Sequence, residues 1–198
     1  MTDPLIAATR HPDPRVVPLM VERWSPRAFD GSAIPDADLQ VIFEAAGWAP
    51  SSYNLQPWKF LYAKRDDTNW QRFLDLLIPF NASWAKDAAV LIYFVSDTMS
   101  GEGAEAKPSH THSFDTGAAW AQMALQATAL GYQAHGMVGF DLDRARTELG
   151  VPDRYRVEAA TVIGRQAPKE RLPENLQERE VPSTRKPVAE IAVAGNFA

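Results

Sequence analysis

Apolar residues recur along this chain with two different periods, and the switches between them divide it into elements. Over 35–46, Leu39, Ile42, Phe43 and Ala46 fall on one helical face, with Pro35 tolerated in the first turn and Gly47 near the stop. Residues 58–63 are aromatic and apolar and predict a strand, after which 68–77 return to helical spacing through Trp70, Phe73, Leu74 and Leu77. The apolar run 88–95 predicts a buried strand. Residues 97–113 break the pattern with Gly101, Gly103, Pro108 and, apart from Ser113, four Ser/Thr residues, a composition that predicts a mobile loop able to act as a lid. An alanine-rich helix follows over 114–130 and ends at Gly131. Then come a short run to Asp141, a helix ending near Gly150 and a strand over 157–163. Helices and strands mix without regular alternation, which predicts an α+β domain.

Residues 165–187 are polar and carry Pro168, Pro173, Pro182 and Pro187. So long a segment without evident structure in a compact domain is usually functional or packed against a partner. The acidic residues between 174 and 180 read as a solvated face. With 198 residues, 45% of them hydrophobic, the chain suits one domain with a sizeable core. Its net charge of -5 is spread without a Lys/Arg block, so neither a nucleic-acid groove nor an anionic membrane is implied. With no cysteine there are no disulfides, thiolate metal sites or thiol catalysis, and any redox role must use a cofactor. The N-terminus, with Asp3, Pro4, Arg10, Pro12 and Pro14, lacks the basic start and apolar stretch of a signal peptide, and 88–95 is too short to span a bilayer. The expected location is the cytoplasm.

Two segments could carry chemistry. Arg23-Trp24-Ser25-Pro26-Arg27 precedes the first helix; if extended, it presents Arg23, Ser25 and Arg27 on one side, two guanidiniums and a hydroxyl suited to an anion. A solvated surface turn is the plain alternative. The second segment, Ala49-Pro50-Ser51-Ser52-Tyr53-Asn54-Leu55-Gln56-Pro57-Trp58, offers hydroxyl and amide groups that both donate and accept, between stiffening prolines. Taken alone it could also be an ordinary helix-to-strand loop.

Together, in this order and about two dozen residues apart, the two segments resemble the nitroreductase family. The resemblance continues through Asn81, six residues before Asp87, resumes at 122–131 and 135–141, and ends with Arg185 before an extended tail. It implies a nitroreductase-like α+β fold, a central, mostly antiparallel sheet flanked by helices. It further implies a single domain over 1–198, in an intertwined homodimer whose 165–198 segment wraps the partner, and an FMN site at the dimer interface. By position, Arg23, Ser25 and Arg27, with Trp24 between them, would hold the flavin phosphate and ring edge, and Arg185 would add a phosphate contact. Pro50, Ser51, Ser52 and Asn54 would come from the partner subunit, and Asn81 would reach the pyrimidine end of the ring. Met137, Val138 and Gly139 match the segment whose backbone passes the flavin's reactive nitrogen. The chain departs from better-known members at Val138, where they have an acidic residue, and at Trp84 and Ser183, where they have lysines.

Such an enzyme would take hydride from NADH or NADPH through FMN to a small electron-poor acceptor, a nitroaromatic, a quinone or similar. Flavin performs the hydride chemistry, so no catalytic dyad is required of the protein. Rival readings are a family member acting on flavin itself or on a halogenated aromatic, and a flavoprotein that stores FMN without catalysis. Gly131, Gly136 and Gly139 do not form a dinucleotide fingerprint, and no nucleophile elbow is present. His110 and His112 lack nearby carboxylate or cysteine partners and read as solvated, with no metal assigned. Trp48 and Trp120 read as core or interface packing.

Overall fold

The structure is a computed structural model that describes residues 4–197; Asp3, used above in reading the N-terminus, lies outside them. In chain order the helices are α1 (Pro4–Thr9), α2 (Pro18–Glu22), α3 (Asp36–Gly47), α4 (Trp70–Leu74), α5 (Pro79–Ala85), α6 (His112–Ala129), α7 (Leu142–Glu148), α8 (Glu174–Gln177) and α9 (Val188–Ile191). The strands are β1 (Trp58–Lys64), β2 (Val90–Asp97), β3 (Met99–Ser100), β4 (Lys107–Pro108), β5 (Gln133–Met137) and β6 (Tyr155–Gly164). Four of them form one sheet in the order β1-β2-β6-β5, with every neighbouring pair antiparallel.

The central strand shows why the sheet separates two cores. Successive side chains of a strand point to opposite faces. Along β2, Leu91, Tyr93 and Val95 enter a core with Phe29, Trp70, Phe73, Trp84 and Leu176. Val90, Ile92 and Phe94 enter another with Leu39, Ile42, Ala46, Ala119, Met123 and Ala127. A strand buried on both faces must be apolar throughout, which is the pattern of 88–95. On the second face α3 packs on α6, and the alanines of α6 let the long helix lie close to the sheet.

Between β2 and β6 the register slips: Phe94 faces Ala159 and Val95 faces Val157, so Glu158 is the extra residue of a bulge. The bulge keeps Val157 and Ala160 in the same core despite their odd spacing and carries the Glu158 carboxylate to the start of α6.

Several expectations change. The 97–113 segment is built rather than loose: β3 pairs with β4, and Arg154 Nε donates to both Asp97 carboxylate oxygens, at 2.8 and 2.9 Å, beside them. The helix expected over 68–77 is shorter, because the chain turns after Leu74 and Leu77 bridges Phe140. The short run before Asp141 contains β5, and α5 was not anticipated. Residues 165–187 carry α8, and Leu172 and Leu176 anchor the segment in the first core.

Candidate functional site

Beyond α2 the chain runs extended, and the alternation expected for it is present. Trp24, Pro26 and Ala28 are buried, while Arg23, Ser25 and Arg27 stand half-buried on the opposite side. The Trp24 indole therefore points inward, its Nε1 donating to Gln166 Oε1 at 3.3 Å. Arg23 Nη1 donates to Ser25 Oγ at 3.4 Å.

A third and a fourth arginine belong to this group. Arg10, just beyond α1, donates to the carbonyls of Val21 and Arg23 and, through Nε, to the carbonyl of Ser183. Arg185 Nη1 donates to Ser183 O, Ser183 Oγ and Thr184 O at 2.9 to 3.2 Å. Burial first, and then repulsion from neighbouring guanidiniums, lowers Arg10 and Arg23 below the ordinary arginine pKa; Arg185 acts on both. Like charges gathered at a half-buried place are relieved by an anion, and arginine forks suit the oxygens of a phosphate.

Under this segment lies a polar contact that the sequence reading placed in solvent. Glu180 is 2% exposed, and its Oε1 accepts from the backbone N–H of Arg27 at 2.6 Å and of Ala28 at 2.8 Å. Its Oε2 is 3.9 Å from Arg27 Nη1. The expected solvated face of 174–180 thus does not extend to its last residue: extended backbone with unpaired N–H groups needs an acceptor when buried, and Glu180 supplies it. The one signal in the sequence is spacing, since Glu180 follows the buried Leu172 and Leu176 at intervals of four.

His135, on edge strand β5, braces the segment from the other side. Its Nδ1 is 2.9 Å from the carbonyl of Pro26. A carbonyl only accepts, so this nitrogen carries the proton. Burial, opposed by that hydrogen bond, takes the His135 pKa down to about 4, and the ring is neutral. It packs on Trp84 with ring centroids 4.6 Å apart, and the Arg27 guanidinium lies 5.9 Å from the centre of the same indole.

One helical turn before Trp84, Asn81 is buried and donates from Nδ2 to the carbonyl of Gly139 at 3.0 Å. A Cβ at 139 would lie 2.5 Å from that nitrogen, so any larger residue there must displace the amide. Met137 is buried, whereas Val138 is 82% exposed. The structure therefore forms two groups, Arg23, Ser25 and Arg185 with Arg10 and Ser183, and Asn81 and Gly139 with Met137 and Val138 at the end of β5, with Arg27, Trp84 and His135 in contact between them.

Pro50, Ser51, Ser52 and Asn54 are elsewhere. Their loop is tied to the first turn of α6 by the buried Asp115, whose Oδ2 accepts from the Ser52 backbone at 3.2 Å and from Thr111 Oγ1 at 3.0 Å. Among the described residues no hydrogen bond or ion pair joins the loop to the Arg23 segment. Tyr53, Asn54 and Gln56 have φ of 50°, 55° and 47°, a left-handed conformation costly for non-glycine residues. Tyr53 is 96% exposed and Trp48 78%, so Trp48 is not packed within its own chain.

His112 is not a free solvated side chain: its Nδ1 is 2.8 Å from Ser96 Oγ, and Ser96 and Ser113 both donate to Glu158 Oε1. Trp120 donates from Nε1 to Thr161 Oγ1 at 3.0 Å and lies against Gly136, where a Cβ would come 3.1 Å from the indole. A cavity of about 360 Å³ opens between this indole, Thr116, Glu158, Met137 and Val138. A larger one, about 480 Å³, lies at Ala33 and 64–68 and touches none of the candidate residues.

The chain matches the model of the nitroreductase family over residues 20–83 and 79–165. It is 30% identical over 189 residues to the NADH dehydrogenase of Thermus thermophilus, an alignment covering 77% of this chain and 89% of that protein. A solved oxidoreductase containing FMN is 49% identical, with a TM-score of 0.92 and 96% of each chain covered. An FMN-dependent nitroreductase from Clostridium difficile R20291 is 25% identical at a TM-score of 0.60, covering 73% of this chain and 84% of its own.

Proposed function

Because the chain belongs to the nitroreductase family, we propose that it is an FMN-dependent oxidoreductase taking hydride from NADH or NADPH and delivering it to a small electron-poor acceptor such as a nitroaromatic or a quinone. The observation that carries this reading is the gathering of half-buried Arg10 and Arg23 with exposed Arg185, Ser25 beside them. The donor set fits a phosphate. The ring end fits as well: Arg27 Nε and Trp84 Nε1 are buried donors with no hydrogen-bond partner among the described residues, and Trp84 follows Asn81 by one turn of the same helix. When bound, the flavin supplies the hydride chemistry itself.

The chain's residues would bind, orient and enclose it. Arg10, Arg23, Ser25 and Arg185 would hold the phosphate; Arg27 and Asn81 would face the pyrimidine end; and the backbone of Met137, Val138 and Gly139 would pass the reactive nitrogen. Trp24 would contribute through its backbone alone. Glycine at 139 lets Asn81 bond the main chain there and so fixes its amide. In a homodimer, Pro50, Ser51, Ser52 and Asn54 would close the site from the partner, which accounts for a strained, exposed loop held by Asp115.

Quenching of FMN fluorescence by apo-protein at micromolar concentration tests the cofactor. Mixing tests the shared site. Suppose Arg27→Glu and Asn54→Leu each abolish flavin binding and are then unfolded and refolded together. A mixed twofold dimer collects both lesions in one site and leaves the other intact, so about a quarter of wild-type binding returns. Recovery near zero, with mixed dimers present, rejects the shared site and leaves the flavin assignment standing.

A further inference from the structure

We propose that Glu180 sets the charge at the pyrimidine end of the flavin site: its carboxylate cancels the charge of Arg27 and holds bound FMN at a lower midpoint potential than Arg27 alone would give. The inference rests on the FMN reading above and concerns a residue outside the segments that carry the family resemblance.

Glu180 makes two kinds of contact, and they separate cleanly by oxygen. Oε1 accepts both backbone N–H groups and fixes the course of the chain at 27–28. Oε2 makes no hydrogen bond; it faces Arg27 Nη1 at 3.9 Å, too long for a hydrogen bond and short enough for strong attraction in a half-buried place. Any acceptor could do the first job, and only an anion does the second. A carboxylate with 2% exposure is costly to bury, and the two N–H bonds together with the nearby guanidinium offset that cost.

Beside the pair stand two uncharged rings and two further cations, Arg23 and Arg179, whose charge is the same with Glu180 present or replaced. Trp84, under the guanidinium, carries no charge, and His135 behind it is neutral. Arg23 is grouped with Arg10 and Arg185. Arg179, which also acts on Arg27, is exposed and screened by solvent. Arg27 and Glu180 thus form a pair of net charge zero. Two-electron reduction adds negative charge to the pyrimidine end of an isoalloxazine ring. A net cation there favours the reduced form, and a cancelled pair does not. Glu180 acts through Arg27, as a positioning residue, on how readily the cofactor accepts and gives up electrons.

Glu180→Gln keeps a carbonyl oxygen for the two N–H groups and removes the charge. Midpoint potentials are read by spectroelectrochemistry on FMN-saturated protein. In Glu180→Gln, reduced FMN is favoured over oxidised by about tenfold more than in the wild type, a rise of about 30 mV for a two-electron couple. The Kd of oxidised FMN stays within about threefold. Adding Arg27→Gln to that variant returns the potential to the wild-type value. An unchanged potential in Glu180→Gln overturns the inference. If Glu180→Gln does not fold, Arg27→Gln alone leaves the carboxylate without its counter-charge, and the potential falls by a similar factor. No fall there overturns the inference equally. A wild-type protein that binds no FMN removes the reading beneath it, whereas FMN binding with insensitive potentials removes this inference only.

Discussion

Adding one methyl group at Gly139 tests whether the end of β5 is built around Asn81. The Gly139 carbonyl accepts from Asn81 Nδ2 at 3.0 Å and from the Ile78 backbone at 3.1 Å, so the two segments lie against each other. A Cβ at 139 would come 2.5 Å from Asn81 Nδ2, 2.8 Å from Ile78 Cδ1 and 3.1 Å from Ile78 Cγ1. Ile78 is 44% exposed and can swing its side chain outward at little cost. Asn81 is buried on α5 and tied to the very residue that has grown, so its amide must move. Losing that bond costs about 1 kcal/mol, and forced overpacking about 1–3 kcal/mol. For Gly139→Ala we expect about 2 kcal/mol of destabilisation, which for a chain of this size lowers the melting temperature by about 4–8 °C. Circular-dichroism melts of the apo forms measure it, and FMN titration should show weaker binding because the displaced amide no longer faces the ring. Asn81→Ala supplies the control. It removes the atom that the methyl meets, so the double variant should be more stable than the sum of the single losses by at least about 1 kcal/mol. A Gly139→Ala protein melting within a degree of wild type, or strictly additive losses, would refute the steric account.

Two other expectations follow from the arginine cluster and its brace. Arg185 is exposed and among the described residues its hydrogen bonds go to Ser183 and Thr184; Arg185→Ala should leave the melting temperature in place and weaken FMN binding by about 1.5–3 kcal/mol, or about ten- to a hundred-fold, and an unchanged affinity on titration removes it from the phosphate site. For His135, the folded pKa of about 4 lies below the ordinary 6.5, so the unfolded chain binds the proton first. Stability is therefore full above about pH 6.5 and falls as the pH drops toward 4, by up to about 3 kcal/mol. Urea unfolding of wild type and His135→Gln across that window checks it, and parallel pH profiles would count against a neutral, buried ring.

How much could be read in advance follows from how each element is stabilised. The central strand and the long α6 were legible because their apolar residues face large cores of their own chain. Strand β5 was not, because Gln133, His135 and Gly136 interrupt its pattern. It lies at the sheet edge, where Gly136 admits the Trp120 indole and His135 reaches back to Pro26. Helix α5 escaped notice because it is seven residues long and carries Asn81 and Ser83 among its apolar positions. Within the candidate site, the alternation of Arg23, Ser25 and Arg27 was visible because an extended segment with one face buried keeps a period of two. The side chains behind it were not. Glu180, Asp115 and His135 recognise backbone atoms of segments distant in sequence, and no local pattern announces an acceptor whose donors lie 153 residues away.

The C-terminal segment joins these observations. Up to Arg185 it serves its own chain: Leu172 and Leu176 fill the core, Glu180 fixes residues 27–28, and the Ser183 carbonyl receives Arg10. Beyond Pro187 its character reverses. Val188, Ile191, Val193 and Phe197 are 60% or more exposed, as are Trp48, Tyr53, Phe114 and Val138 elsewhere. Full burial of a large apolar side chain contributes about 1.5–3 kcal/mol, so four from the tail alone represent about 6–12 kcal/mol, comparable with the estimated 4–15 kcal/mol cost of bringing two molecules together. That surface supports the homodimer proposed above, and the strain of the Tyr53–Gln56 loop supports it independently, since strained backbone is retained where a contact depends on it. In such a dimer the contact that covers Val138 and the Ser51–Asn54 loop also closes the flavin site. Cofactor affinity and subunit affinity are then reciprocal: whatever FMN adds to the strength of the dimer, dimerisation adds to the binding of FMN.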